Sequence, residues 1–379
     1  VALYGEGIAG LLMDCGGKWY FKHNLGNGRL SSASEVGNRP VPGTPSGLAD
    51  VEGNGVLALV ENGGANAGAS FLDESGKFGP RRKFGSVPWI DWEKSDIKFM
   101  DLDGDGRSEV VVAEDGRIRV YLSGGMKGYG NAIYRYFTEP GEKPVLVSKS
   151  PDEAVFAADM TGDGLADLVR VRFSQVCYWP NFGHGRFGSA IYMGNAPVLG
   201  GYKNFNPANL TVADIDGSGT TDLLYREGDR LHIYRNCLGK SFEFVDTISL
   251  PGKGGTVKSA DVLGKGLSTI VFGSPLFADA SASPRYLPMQ GGRTNVMSGY
   301  SNGTGAQVDI EYTPSTAYYL EDKLSGNPWT TKLPYVVQCV SKVVSRDLVT
   351  GWDRTETYAY RDGYHDPDFR EFRGFGSVV

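Results

Sequence analysis

A nine-residue pattern rich in Asp and Gly recurs through the first 270 residues of this 379-residue chain. Three copies are nearly complete: DLDGDGRSE at 101–109, DMTGDGLAD at 159–167 and DIDGSGTTD at 214–222. Three others keep the Gly spacing but lose acidic positions: ALYGEGIAG at 2–10, DVEGNGVLA at 50–58 and DVLGKGLST at 261–269. The copies lie 47 to 58 residues apart, which is typical of one four-stranded blade per repeat in a β-propeller.

The residues between the loops support this fold class. After the loop at 214–222, alternating apolar and polar residues predict strands at 210–215, 222–226, 230–235 and 242–248. The 54 Gly and 19 Pro residues indicate many tight turns. We therefore predict an all-β protein, in which residues 1–290 form a propeller of about six four-stranded blades and residues 291–379 form a β-strand extension.

A second signature falls between the third and fourth strands of a repeat. It reads WYFKHNLGNG at 19–28 and YWPNFGHGRF at 178–187, with a looser copy around Tyr234 and Asn236. Its glycines suit turns with positive φ, and its aromatic residues suit packing between blades. Exposed aromatics of this kind can also bind sugars, which leaves a glycan-binding propeller as an alternative.

The Asp-rich loops have the spacing of calcium ligands. Side-chain oxygens at positions 1, 3, 5 and 9 and a carbonyl at position 7 would converge on one point, and Ca²⁺ takes six to eight hard oxygen ligands. The predicted ligands, with the carbonyl as the fourth member of each set, are Asp101, Asp103, Asp105, Arg107 and Glu109; Asp159, Thr161, Asp163, Leu165 and Asp167; and Asp214, Asp216, Ser218, Thr220 and Asp222.

The same loops could instead be metal-free turns in which Asp caps its own backbone. Two worn copies should hold no metal, because Ala58 replaces the last carboxylate and Lys265 places a positive charge at position 5. We expect the metal to be structural, since some repeats dispense with it.

Other function classes are weakly supported. The net charge of −6 disfavours nucleic acid and anionic membranes as partners, and no apolar run is long enough to cross a membrane. The four histidines are scattered and stand beside no nucleophile motif, so we predict a protein that is not an enzyme. A lyase or hydrolase in the central funnel is a third, weaker possibility.

The chain starts inside a repeat without Met, so we expect a piece of a longer polypeptide.

Six further motifs point to a family: REFRGFG at 370–376 after YAYRDGYHD at 358–366, LPYVVQ at 333–338, NGTGA at 302–306, and GEGIAG at 5–10 with WYFKHNLG at 19–26. With these motifs the chain resembles, over essentially its whole length, the middle region of the SpvB and insecticidal toxin complex (Tc) B-component family. The Asp loops resemble FG-GAP/VCBS repeats, which integrin-like propellers share.

The resemblance implies a secreted or cell-surface protein that works as part of a toxin complex. It implies a propeller that binds the pentameric translocation (A) subunit and gates the exit of the toxin payload from a cocoon of Rhs/YD-type strands. Residues after 290 would lead towards that cocoon. The chain itself lacks the cocoon repeats and a toxin domain, so it would perform only the docking and gating part, without inserting into a membrane.

Overall fold

The strands of this protein form a series of antiparallel sheets in chain order. The computed structural model describes residues 1–40, 46–73, 75–138, 140–201, 203–251, 255–273, 285–289 and 295–379. Consecutive strands pair with one another, so each sheet is a meander. The predicted domain boundary at 290 lies outside the described residues and stays a prediction.

The loop at 2–10 precedes sheet 1, whereas in sheets 2 and 3 the loop connects the first strand to the second. Sheet 1 contains β1 Leu11–Cys15, β2 Lys18–Lys22 and β3 Ser34–Val36. Sheet 2 contains β4 Ser46–Asp50, β5 Leu57–Glu61, β6 Gly68–Ser70 and β7 Arg82–Lys83. Sheet 3 contains β8 Ile97–Met100, β9 Glu109–Glu114, β10 Arg117–Tyr121 and β11 Ile133–Tyr136. A short 3₁₀ turn, Gly125–Lys127, precedes β11.

The next three sheets repeat the arrangement. Sheet 4 contains β12 Glu153–Ala158, β13 Asp167–Arg172, β14 Gln175–Trp179 and β15 Ile191–Tyr192. Sheet 5 follows the 3₁₀ turn Pro207–Asn209 and contains β16 Leu210–Ala213, β17 Asp222–Glu227, β18 Arg230–Asn236 and β19 Phe242–Ser249. Sheet 6 contains β20 Thr256–Ala260, β21 Thr269–Gly273 and β22 Arg285–Leu287. The four strands predicted around loop 214–222 are confirmed to within two residues at each end.

The core lies between neighbouring sheets. In β10, Ile118 and Val120 are fully buried while the intervening Arg119 is partly exposed, as expected for a strand with one apolar face. The second strands of sheets 4 and 5 are buried on both faces, and β13 and β17 expose only their last residue, because each lies between two sheets. Apolar residues of sheets 3 and 4, including Leu102 and Trp179, share one cluster.

Buried asparagines of the second signature join neighbouring sheets. The Nδ2 of Asn181 donates to the carbonyl oxygens of Leu102 in sheet 3's loop and Ala166 in its own loop, both at 3.1 Å. Asn236 repeats this with Met160 at 2.9 Å and Thr221 at 3.1 Å. Sequence analysis assigned inter-blade contact to the aromatics of this signature and missed the asparagines.

The same contact joins the first sheet to the sixth. The Nδ2 of Asn24 donates to the carbonyl oxygen of Val262 at 2.7 Å and to that of Ala9 at 2.9 Å. Val262 holds the same position in its loop as Leu102 and Met160 do in theirs. The six sheets therefore follow one another around a ring in which the last meets the first.

The C-terminal residues form a seventh sheet, a hairpin and a helix. The sheet contains β23 Gly299–Ser301, β24 Ala306–Pro314, β25 Gln338–Asp347 and β26 Trp352–Thr357, and the hairpin pairs β27 Tyr360–Asp366 with β28 Glu371–Val378. The part of the predicted β-strand extension that the structure describes, residues 295–379, thus contains six strands.

The helix α1, Ser315–Leu324, was not predicted, since this region was expected to be extended throughout. It begins directly after Pro314, whose backbone is still extended. The helix buries Leu320, and the Thr316 hydroxyl donates to the carbonyl oxygen of Gly264 in the sixth loop. Contact with the ring thus stabilises a helix whose sequence shows only a weak apolar periodicity. Within the described part of the chain, no helix is both long and apolar enough to cross a membrane.

Candidate metal-binding loops

The first Asp of each acidic loop folds the loop by accepting backbone hydrogen bonds. Asp101 accepts from the backbone N–H groups of Gly104 and Gly106, both at 2.7 Å. These glycines have φ of 76° and 79°, a region in which other residues are strained. In a worn copy, Asp50 makes the same contacts with Gly53 and Gly55 at 2.8 and 2.6 Å. The first Asp therefore shapes the turn even where the ligand set is incomplete.

The last carboxylate of each complete loop is buried and also bonds to the backbone. The Leu102 N–H donates to Glu109 at 2.7 Å. Asp167 accepts from the N–H groups of Met160 at 3.0 Å and Asn181 at 2.8 Å. Equivalent bonds, at 3.0 and 2.7 Å, run from Ile215 and Asn236 to Asp222. These carboxylates therefore link the end of the loop to its beginning. Asp167 and Asp222 also link it to an asparagine of the second signature.

Burial leaves these carboxylates short of compensating charge. Burial, helped by neighbouring loop carboxylates, raises the pKa of Glu109 to about 8, that of Asp167 to about 6 and that of Asp222 to about 7. Backbone hydrogen bonds oppose the rise without cancelling it. A bound cation would favour the ionised form of all three.

Two of the three loops gather their carboxylates. Oxygens of Asp101, Asp103 and Glu109 lie within 4.8 Å of one another, and those of Asp214, Asp216 and Asp222 do the same. Among the residues that the structure describes, these are the two groups of three or more potential metal-ligating side chains found. Their donor chemistry, oxygen only, suits Ca²⁺.

The remaining predicted ligands fit less uniformly. In loop 159–167 the three Asp residues form no such group; Asp163 is exposed and its Oδ1 accepts from the Leu165 N–H at 2.9 Å. The Thr161 hydroxyl oxygen there is buried without a partner. In loop 214–222 the hydroxyls of Ser218 and Thr220 lie 3.0 Å apart. Loop 214–222 fits the metal best, and calcium at all three loops stays a prediction.

Loop 101–109 contacts an arginine that sequence analysis did not associate with it. Arg370, in the turn between β27 and β28, places its Nη2 3.0 Å from Asp105 Oδ2 and its Nη1 3.5 Å from Asp103 Oδ2. The side chain of Asp105 is only 3% exposed, whereas that of Arg370 is 46% exposed, so the guanidinium covers the loop from its solvent side. Arg370 opens the REFRGFG motif, and this position in the motif was the available signal.

A cavity of about 560 Å³ lies where sheets 1 and 2 meet α1 and the residues after it. At its wall the Lys323 ammonium lies 2.5 Å from Glu6 Oε1, and His23 Nδ1 lies 4.0 Å from Glu6 Oε2. Tyr4 and Trp329 supply aromatic surface. The cavity combines a small polar group with apolar walls, as ligand pockets do.

Two family models match the chain. The model described as "Insecticide toxin TcdB middle/N-terminal region" matches residues 246–379, and the FG-GAP-like repeat model matches residues 101–170. The second match covers the loops at 101–109 and 159–167. None of the curated proteins matches the chain.

Solved structures extend the likeness to the whole chain. A chain of the Photorhabdus luminescens Tc holotoxin pore is 26% identical with a TM-score of 0.85, and the match covers 99% of this chain and 18% of that one. A TcdB2-TccC3-Cdc42 crystal structure is 24% identical with a TM-score of 0.68, covering 100% and 18%. The present chain thus spans less than a fifth of these toxin chains.

A lectin from Agrocybe aegerita that recognises non-reducing terminal N-acetylglucosamine matches more distantly. It is 19% identical with a TM-score of 0.50, covering 71% of this chain and 72% of the lectin. This likeness concerns the fold alone.

Proposed function

We propose a function from one premise: the chain matches the middle region of the Tc toxin B components. It is a non-enzymatic propeller that docks the B component on the pentameric translocation subunit and gates the exit of the toxin payload. Its cellular place is outside the producing cell, as part of the secreted toxin complex. The observation that carries the proposal is the whole-length likeness to a chain of the P. luminescens holotoxin pore.

The ring of sheets supports a docking and gating role. The contact from Asn24 to Val262 joins the first sheet to the sixth and so holds the ring together where its two ends meet. The helix α1 and the hairpin contact the ring, through Thr316 with Gly264 and through Arg370 with Asp105. A ring braced in this way is suited to surround an opening, and its loops are suited to close that opening.

The acidic loops support a structural rather than a catalytic use of their carboxylates. Both oxygens of Asp222 accept backbone N–H groups, which leaves them fixed in the fold. We include calcium in the proposal as a structural ion, held for example by Asp214, Asp216 and Asp222, whose oxygens lie within 4.8 Å of one another. The ion would neutralise the buried carboxylates and hold the loop between β16 and β17.

Binding to the translocation subunit tests the proposal. The purified chain and the purified pentameric A-type subunit from the same genome are mixed and examined by size-exclusion chromatography and interferometry. We expect a stable complex, with a dissociation constant of about 1 µM or tighter. The absence of co-elution at concentrations on the order of 100 µM would reject the docking function.

A glycan-binding propeller is the second candidate, and the cavity beside Glu6 is the observation that favours it. Tyr4 and Trp329 at its wall offer aromatic faces, and Glu6 and His23 offer polar groups. A glycan array separates the two functions. Micromolar binding to a defined sugar, abolished by Trp329→Ala and accompanied by no complex with the A-type subunit, would favour the glycan-binding alternative.

A further inference from the structure

The contact between Arg370 and loop 101–109 joins two parts of the chain that the sequence keeps far apart. Asp103 and Asp105 are positions 3 and 5 of the loop, where two of the predicted calcium ligands stand. The guanidinium of Arg370 lies 3.0 Å from one and 3.5 Å from the other. A planar guanidinium fork matches paired carboxylate oxygens in this way.

Two further basic side chains lie near these two aspartates. The Arg107 Nη1 lies 3.9 Å from Asp105 Oδ2, and His184 Nδ1 lies 3.7 Å from Asp103 Oδ2. The Oδ1 of Asp103 is buried and bonds to no group. Arg370 therefore contacts a group of carboxylates that can bind a cation. One of their oxygens, Asp103 Oδ1, accepts no hydrogen bond.

The guanidinium and a calcium ion compete for the same carboxylates, those of Asp103 and Asp105. Ca²⁺ binds oxygen at 2.3–2.6 Å, so an ion bound to Asp103 and Asp105 would occupy the space that Arg370 faces. The sixth loop offers a parallel within its own sequence, because Lys265 supplies a positive charge at position 5. In loop 101–109 the positive charge comes instead from the hairpin.

We propose that loop 101–109 is a cation site whose resident occupant is the Arg370 guanidinium, so that calcium binds there only when the β27–β28 hairpin leaves the loop. The hairpin and calcium then exclude one another at this loop, whereas loop 214–222 takes calcium independently. The role of Arg370 does not depend on docking to a translocation subunit, and it is tested first without calcium.

The first experiment measures hairpin docking by hydrogen exchange of the β28 amides in the full chain without calcium. Arg370→Ala and Asp105→Asn should each speed exchange about tenfold or more, because each removes one side of the ion pair. Arg354→Ala, which removes the same charge from the exposed pair with Glu356, is the matched control and should leave the rate unchanged. Unchanged exchange in Arg370→Ala and in Asp105→Asn overturns the proposal.

The second experiment measures calcium binding by isothermal titration with calcium chloride. Arg370→Ala should bind calcium at loop 101–109 at least tenfold more tightly than the wild type, and Asp103→Asn added to it should abolish the gain. In the wild type, millimolar calcium should speed β28 exchange towards the rate of Arg370→Ala. Equal calcium affinity in the wild type and Arg370→Ala overturns the proposed competition. The first experiment then decides separately whether Arg370 holds the hairpin to the loop.

Discussion

The side-chain amide of Asn24 donates to the carbonyl oxygen of Val262, a residue 238 positions later, at 2.7 Å. Asn181 and Asn236 make the corresponding bond to the preceding loop. The junction between the first and sixth sheets therefore has the same chemistry as the junctions inside the ring. This equivalence leads to the first prediction.

Asn24→Ala should destabilise the ring. The substitution leaves the carbonyl oxygens of Ala9 and Val262 without their donor in a buried position, which should lower the free energy of unfolding by about 1–3 kcal/mol. Chemical denaturation measures the change. Asn131→Ala, at an exposed position, is the control and should change stability by less than about 0.5 kcal/mol. Equal stabilities would mean that the junction does not depend on the asparagine.

Asp216→Asn should weaken calcium binding at loop 214–222. The amide keeps an oxygen that can accept the Ser218 N–H, but it removes one negative charge from the ligand set. Calcium should raise the melting temperature of the wild type, and EGTA should reverse the rise. The variant should show a smaller rise, whereas Asp229→Asn, in an exposed turn of the same sheet, should behave like the wild type. A melting temperature indifferent to both calcium and EGTA would leave the loops as metal-free turns.

Glu6→Gln should weaken the attachment of α1 in a pH-dependent way. Burial alone would raise the pKa of Glu6, but the nearby His23 ring and the hydrogen bond and charge of Lys323 lower the pKa to about 2, from an ordinary value of 4.5. A lowered folded-state pKa stabilises the protein above pH 4.5, and this contribution is lost as the pH falls towards 2.

Denaturation of wild type and Glu6→Gln across this range measures the effect. The stability difference between them should be largest near neutral pH and should shrink steadily below pH 4.5. Glu311→Gln is the control, since Glu311 pairs with Lys342 on the exposed seventh sheet. A difference that stays constant from pH 7 to pH 3 would contradict the ion-pair explanation.

Trp89→Ala should weaken docking without affecting the fold. Trp89 is 93% exposed in the segment between sheets 2 and 3, where its ring contributes little to the core. Exposed tryptophans are frequent binding hot spots, so affinity for the translocation subunit should fall by about 30-fold, or 2 kcal/mol. Trp352→Ala, at an exposed tryptophan of the seventh sheet, is the comparison. If both variants bind like the wild type, the docking surface lies elsewhere on the ring.

The sequence predicted those parts of the fold that depend on neighbouring residues. The turn of loop 101–109 is determined by bonds from Asp101 to residues three and five positions later, so its spacing is legible in the sequence. Strand alternation predicted β16 to β19 for the same reason. The resemblance to Tc B components, drawn from short motifs, is confirmed by the matches to TcdB and to the holotoxin pore.

Contacts between distant residues were not predictable in this way. The bond from Asn24 to Val262 and the ion pair from Arg370 to Asp105 depend on how the sheets are arranged around the ring, which no local pattern encodes. The helix α1 was missed because its stability comes from contacts such as Thr316 with Gly264 rather than from a marked apolar stripe. The spacing of metal ligands within one loop can be recognised in a sequence. A competing cation supplied by a remote hairpin cannot.

The position of Arg370 also determines how mechanical force would travel through the molecule. Tension applied at Val379 would act first on β28 and then, through Arg370, on the loop between β8 and β9 of the third sheet. The sixth sheet, which precedes the C-terminal segment in sequence, would be spared part of this load. Force at this end of the chain would thus be shared between separate sectors of the ring.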